Sequence, residues 1–168
     1  MSSFGLIIGI VSTISTVSGA DGKSSIASFE GGTIDLSQGW GLAHVCDVTS
    51  KGTYCFTGQS EYQAWIDAGL SSSSVNPLTD CSSGLKLYDN INYGGSELIL
   101  SSEANWINLS TYGFSGIISS FKVGACSISM TDGTNGSGAV YPGPTSPSSN
   151  VSWIGTAWND RVKSVYIY

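Results

Sequence analysis

Between Cys81 and Tyr168 the chain keeps alternating apolar and polar residues over a few positions and then stops at Gly, Asn or Ser. A period of two over such short runs cannot bury one face of a helix, but it does bury one face of a strand. "GLKLYD" and "SELILS" flank "NINYGG", the pattern of a hairpin, and "SSFKVGACSISM" supplies two further strands joined near Gly124. "GAVYPG", "VSWIG" and "VKSVYIY" bring the total to about eight, the number that two four-stranded Greek keys require. An all-β sandwich is the expected fold class.

The composition agrees. Only 11 % of the 168 residues are charged, Gly numbers 22 and aromatics make up 11 %, so core-forming residues are plentiful and disorder is a poor fit. A net charge of −6, with the basic residues scattered singly, provides no patch to neutralise phosphates and excludes nucleic acid as a partner.

The residues before Cys81 divide by composition. The stretch 1–20 is uncharged, has an apolar run from Phe4 to Val11 and ends in the small residues Ser18-Gly19-Ala20. It predicts a secretion signal, leaving no membrane span in the mature protein, because the run is too short to cross a bilayer. Residues 21–32 are expected to form a flexible lead, 33–70 a small N-terminal subdomain, 71–80 a Ser-rich linker and 81–168 the main β domain. Within the subdomain, Thr33–Leu36 alternates like a strand, and Cys46 and Cys55 flank a hairpin with a turn at Lys51-Gly52. "SEYQAWIDAG" predicts a short helix with Ser60 as N-cap, Gln63 completing a capping box and Gly69 ending it. Tyr62, Trp65 and Ile66 share one face of that helix and are expected to pack.

Four cysteines without a CxxC pair, and a single histidine, do not make a zinc site. In an oxidising, extracellular compartment they predict two disulfides, Cys46–Cys55 and Cys81–Cys126, which contribute roughly 3 and 4 kcal/mol. No catalytic residues are assigned, because His44 stands alone beside a disulfide cysteine and no GxSxG elbow is present. The five tryptophans are expected to be mostly core, and the sequons at Asn108, Asn135 and Asn150 matter only in a glycosylating host.

The hairpin carries a resemblance. Tyr88, four residues "DNIN", Tyr93, one residue and then Gly95 match the folded hairpin of βγ-crystallin domains. There two rings pack on the hairpin, and the glycine takes a backbone angle that other residues resist. The resemblance implies that Ser101 hydrogen-bonds this hairpin, and it is poor at the corresponding stretch of the second half, "MTDGTNGSGAVYPG". The family also places two acidic or amide residues, two variable ones, then Ser/Thr and Ser before the last strand of each key. Here these are Ser115, Gly116, Ile117, Ile118, Ser119, Ser120 and Asn159, Asp160, Arg161, Val162, Lys163, Ser164.

In that family each calcium site takes its carboxylate from one copy and its hydroxyl from the other. The resemblance therefore implies one weak, degenerate calcium site from Asp160 and Ser119, with Asn159 beside them. The second site would need Gly116 and Lys163, which offer no side-chain oxygen. Lys163 is expected either to extend into solvent or to pair with Asp160. "VGAC" and "WNDRVKSVYIY" are similar to small secreted microbial members, some of which carry the label of peptidase inhibitor.

The expected function is thus a secreted, non-enzymatic βγ-crystallin-like module with a structural or interaction role and an extracellular protein or surface component as partner. The second reading is a secreted peptidase inhibitor or an antimicrobial, toxin-like effector. Its reactive loop would be "YPGPTSPSSN", stiffened by Pro142, Pro144 and Pro147.

Overall fold

Strand formation in this chain follows its two-residue periodicity, and the strands assemble into one large and one small sheet. The structure, a computed structural model, describes residues 24–70, 80–102 and 105–168. The predicted signal at 1–20 and most of the predicted linker lie outside the described residues. Four strands precede the single helix: β1 (Ile26–Phe29), β2 (Gly32–Asp35), β3 (Val45–Thr49) and β4 (Gly52–Phe56). The helix α1 (Gln59–Asp67) leads towards β5 (Asp80–Tyr88) and β6 (Glu97–Ser102). The remaining strands are β7 (Ile107–Asn108), β8 (Ser120–Lys122), β9 (Ile128–Thr131), β10 (Asn150–Val151) and β11 (Ser164–Ile167). Of the segments expected to be strands, "GAVYPG" contributes only an isolated bridge, Thr131 to Val140.

The large sheet runs β10-β8-β5-β6-β3-β4-β1-β2 and the small one β7-β11-β9. Leu85, Leu87, Leu98, Leu100 and Phe121 of the large sheet meet Ile107, Met130, Val165 and Ile167 of the small one in the main core. Alternation explains this sorting, because every second residue of each strand points inward. On the opposite face of the large sheet, Val45, Phe56 and Ile99 pack under Tyr62, Trp65 and Ile66 of α1.

The first half does not stand apart from the second. Parallel pairing of β3 with β6 sets Val45 beside Glu97, Cys46 beside Leu98 and Val48 beside Leu100, so strands from both halves share one hydrogen-bonded sheet. The edge that β6 would otherwise expose is thereby covered, as sheet edges generally must be.

Three local expectations need correction. The lead predicted over 21–32 contains a strand: β1 pairs antiparallel with β2 and parallel with β4, and Ala27 is buried. Glu30 and Gly31, both with positive φ, make the tight two-residue turn between β1 and β2. Ser60 is not the N-cap of α1. The helix begins two residues earlier, after Gly58, and Glu61 instead accepts hydrogen bonds from the Thr57 N–H (2.8 Å) and hydroxyl (2.9 Å). The C-terminus ends at Gly69 as expected, with φ +67° and its N–H donating to Ile66 O while Leu70 N–H donates to Trp65 O. The turn between β3 and β4 is centred on Ser50-Lys51, since Thr49 and Gly52 are already paired.

The Cys46–Cys55 disulfide is formed between directly opposed residues of β3 and β4. Cys126 is also disulfide-bonded; the side chain of its predicted partner, Cys81, lies outside the described residues.

Candidate functional site

The first hairpin folds over as its residues predict. Tyr88 and Tyr93 meet edge to face, with centroids 5.7 Å apart, and the Lys122 ammonium lies 4.3 Å from the centre of the Tyr93 ring. Gly95 has φ +76°, and a Cβ there would fall 1.8 Å from Asp89 Oδ1, so glycine is required twice over. Asp89 Oδ1 accepts from the Ser96 N–H at 2.9 Å and closes the loop.

The serine that secures this hairpin is not Ser101. Ser101 sits at a long 3.5 Å from Asp47 Oδ1 on a different part of the sheet. The hairpin is held by fully buried Ser120, which accepts from the Tyr93 N–H at 3.0 Å and donates to Asn90 O at 2.6 Å. Sequence reasoning missed this because Ser120 lies 30 residues away from the carbonyl that it binds.

The stretch that matched the hairpin poorly is a second copy of it. Asp132 Oδ1 accepts from the Ala139 N–H at 2.7 Å, as Asp89 does from Ser96. Asn135 and Gly138 repeat the positive φ of Asn92 and Gly95, at +51° and +82° against +57° and +76°. Ser164 repeats Ser120: it accepts from the Gly136 N–H at 3.0 Å and donates to Gly133 O at 2.7 Å. The aromatic pair is replaced by Trp106, brought from another segment, whose ring would lie 2.2 Å from a Cβ on Gly136. What both copies retain in sequence is the spacing Asp-x-x-Asn-x-x-Gly, the one signal that could have revealed the repeat.

The two signature stretches cross as an approximate two-fold pair. Gly116 N–H donates to Val162 O at 2.8 Å and Asp160 N–H to Ile118 O at 3.2 Å; Gly116 and Asp160 both have positive φ. Ser119 N–H binds Tyr88 O and Lys163 N–H binds Thr131 O, so Ser119 and Lys163 are equivalent positions. Backbone geometry is conserved between the two copies while the side chains have diverged.

That divergence decides what each side can hold. Gly116 and Lys163 present no side-chain oxygen, so the second position does not fit a calcium ion, which needs six or more oxygens. The first brings the exposed Asp160 next to Ile118-Ser119 through a backbone hydrogen bond, so a carboxylate and a hydroxyl-bearing residue are retained on this side. Asn159 Nδ2 donates to Asp160 Oδ2 at 2.7 Å. Lys163 is exposed, and among the described residues it makes no ion pair with Asp160. Nor do the described residues contain a cluster of three or more His, Cys, Asp or Glu that could hold a metal.

The second hairpin is tied to its signature stretch by charge. Arg161 Nη2 pairs with Asp132 Oδ2 at 2.5 Å, and its guanidinium lies 5.4 Å from the Trp158 ring centre. The Ala139 N–H and then Arg161 hold the Asp132 carboxyl below the usual value.

Elsewhere, His44 is exposed, with its backbone linking Phe56 and Glu97. Two surface clefts of about 280 and 290 Å³ are lined chiefly by Lys86, Lys122 and Ser148, and by Tyr54, Lys51 and Thr33; neither includes His44, Asp47 or Glu97. Asn108 and Asn135 bind each other, Nδ2 to Oδ1 at 2.7 Å, whereas Asn150 is exposed. In the loop from Tyr141 to Asn150, Tyr141 is buried between Phe121 and Trp158, and Pro142, Pro144 and Pro147 are exposed. No helix among the described residues is long and apolar enough to cross a membrane, which says nothing of strands.

No family model matches the chain, and no curated protein matches it. Among solved structures, a βγ-crystallin domain from Clostridium beijerinckii is 26 % identical over 51 % of this chain and 97 % of its own, with a TM-score of 0.42. A double mutant of clostrillin in complex with nickel is 26 % identical over 52 % and 99 %, with a TM-score of 0.44. A βγ-crystallin domain from Flavobacterium johnsoniae is 25 % identical over 50 % and 92 %, with a TM-score of 0.41. On its own paired hairpins, serine locks and crossed signature stretches, the C-terminal half of this chain has a βγ-crystallin-like fold.

Proposed function

We propose that the protein is a secreted, non-enzymatic βγ-crystallin-like module with a structural or interaction role and one weak calcium site at Asp160, Ser119 and Asn159. The observation that carries this reading is the asymmetry of the crossed stretches: the backbone of both copies is kept, and ligand oxygens remain on one side only. Such a module holds its shape through a sandwich core and cross-links and needs no metal to close its loops. Bound calcium adds stability that grows with the logarithm of its concentration relative to Kd, because only the folded state presents both ligands together. Calcium titration by calorimetry, on the parent and on Asp160→Ala, tests this. A single weak binding event that Asp160→Ala removes is expected; undiminished binding by the variant refutes the site.

The loop from Tyr141 to Asn150 favours a second reading, in which the module blocks an extracellular peptidase. It is fixed at several points, with Thr145 O accepting from Ile128 N–H and Ser148 N–H donating to Gly124 O, while its three prolines face solvent. A rigid exposed segment loses little entropy on entering a cleft. Inhibition of secreted peptidases that disappears on shortening this loop supports the reading, and inhibition that survives refutes the loop as the reactive element.

A further inference from the structure

Two carboxylates lie beneath α1 where the halves of the chain join. Asp47 on β3 is 5 % exposed and Glu97 on β6 is 3 % exposed. Both are bound from α1: the Tyr62 hydroxyl donates to Asp47 Oδ2 at 3.1 Å, and Gln59 Nε2 donates to Glu97 Oε2. From β5, Lys86 lies 3.1 Å from Glu97 Oε1, and the Tyr88 hydroxyl donates to the same oxygen at 3.1 Å. From β6 the Ser101 hydroxyl faces Asp47 Oδ1, and from β4 Tyr54 is the cross-strand neighbour of Asp47. The other acids of α1 are bound locally, Glu61 to Thr57 and Asp67 to Gln63. One ammonium therefore serves two buried carboxylates, and it sits on Glu97 rather than on Asp47.

Otherwise the helix is held by its apolar face, where Tyr62, Trp65 and Ile66 pack on Val45, Phe56 and Ile99. It has nine residues, too few to be stable alone. Tyr62 is its one buried residue, and Trp65 rests against Tyr54 and Phe56 at centroid distances of 5.2 Å. We propose that α1 is an acid-tightened strap, clamped on the sheet while Asp47 carries a proton and loosened as Asp47 ionises.

The direction follows from burial. Loss of water around Asp47 pushes its carboxyl above the ordinary 3.8, against the opposing effect of the bonds from Tyr62 and Ser101. Lifting α1 would let water reach Asp47, so the clamped state binds the proton more tightly than the lifted state. The contribution to clamping is complete below pH 3.8 and is lost as pH rises through the elevated value. Burial and the nearby charge of Asp47 also push the Tyr62 phenol up, so it remains a donor throughout.

Hydrogen exchange of the α1 amides, expressed as protection relative to the intrinsic rate at each pH, reads the strap directly. Protection in the parent is expected to fall at least ~3-fold between pH 4 and pH 7.5, within the limit of about tenfold for each unit by which the carboxyl is raised. Asp47→Asn should make protection independent of pH over this range, at or above the acidic value of the parent. Tyr62→Phe keeps the ring but removes a bond that favours the ionised form, so the fall should move to higher pH. Equal protection of the parent at both pH values overturns the proposal. So does a fall that persists in Asp47→Asn, or one that fails to move upward in Tyr62→Phe.

Discussion

Replacing Ser164 by alanine removes a hydroxyl that is fully buried and bound on three sides. It accepts from the Gly136 N–H at 3.0 Å, donates to Gly133 O at 2.7 Å and lies 2.8 Å from the Thr131 hydroxyl. Alanine leaves the Gly136 N–H without that acceptor, while Gly133 O keeps a longer contact from Thr131 at 3.2 Å. A buried group left unpaired costs about 1–3 kcal/mol and a lost net hydrogen bond about 1 kcal/mol, so a destabilisation of about 2–3 kcal/mol is expected. In a chain of this size that lowers the melting temperature by about 4–12 °C. Ser120→Ala should cost a similar amount, because its bonds to Tyr93 N–H and Asn90 O are equally short and equally buried. Ser101→Ala should cost under ~1 kcal/mol, since its contact with Asp47, at 3.5 Å, is marginal as a hydrogen bond. Denaturant unfolding of the three variants orders them. If Ser101→Ala is as damaging as Ser164→Ala, or if Ser164→Ala costs less than ~1 kcal/mol, the assignment of the serine locks is wrong.

Three further outcomes are expected. Removing the Cys46–Cys55 bond by double alanine substitution should lower stability by roughly 3 kcal/mol, measured by denaturant unfolding under non-reducing conditions. Lys163→Ser should tighten calcium binding about tenfold, because at ~5 Å an ammonium repels a divalent ion by about 1.7 kcal/mol in water-like dielectric; unchanged affinity by calorimetry would place Lys163 away from the ion. Asp132, whose carboxyl is held below 3.8 in the folded chain, should support the second hairpin above that pH and cease to do so as pH falls through its lowered value. Asp132→Asn should therefore be less stable than the parent at pH 6, and the gap should close in acid.

The sequence by itself determined what depends on neighbours along the chain. Two-residue periodicity gives strands, Tyr88, Tyr93 and Gly95 give the first folded hairpin, opposed cysteines close β3 on β4, and Gly69 ends α1. Each is decided within a few residues, by side-chain alternation, by positive φ or by short loop closure. The absence of side-chain oxygens at Gly116 and Lys163 is likewise read from the sequence alone, since it depends on residue identity and not on the fold. Tertiary structure alone decided the rest. The second hairpin keeps its shape without an aromatic pair because Trp106 and Ser164 reach it from distant segments. Ser120 rather than Ser101 secures the first hairpin because the crossing of the signature stretches aims it there. β1 is a strand because β4 pairs with it, and the halves share a sheet because β3 finds the open edge of β6. Backbone hydrogen bonds between strands carry no local sequence signature, so pairings of this kind become visible only when the strands are in place.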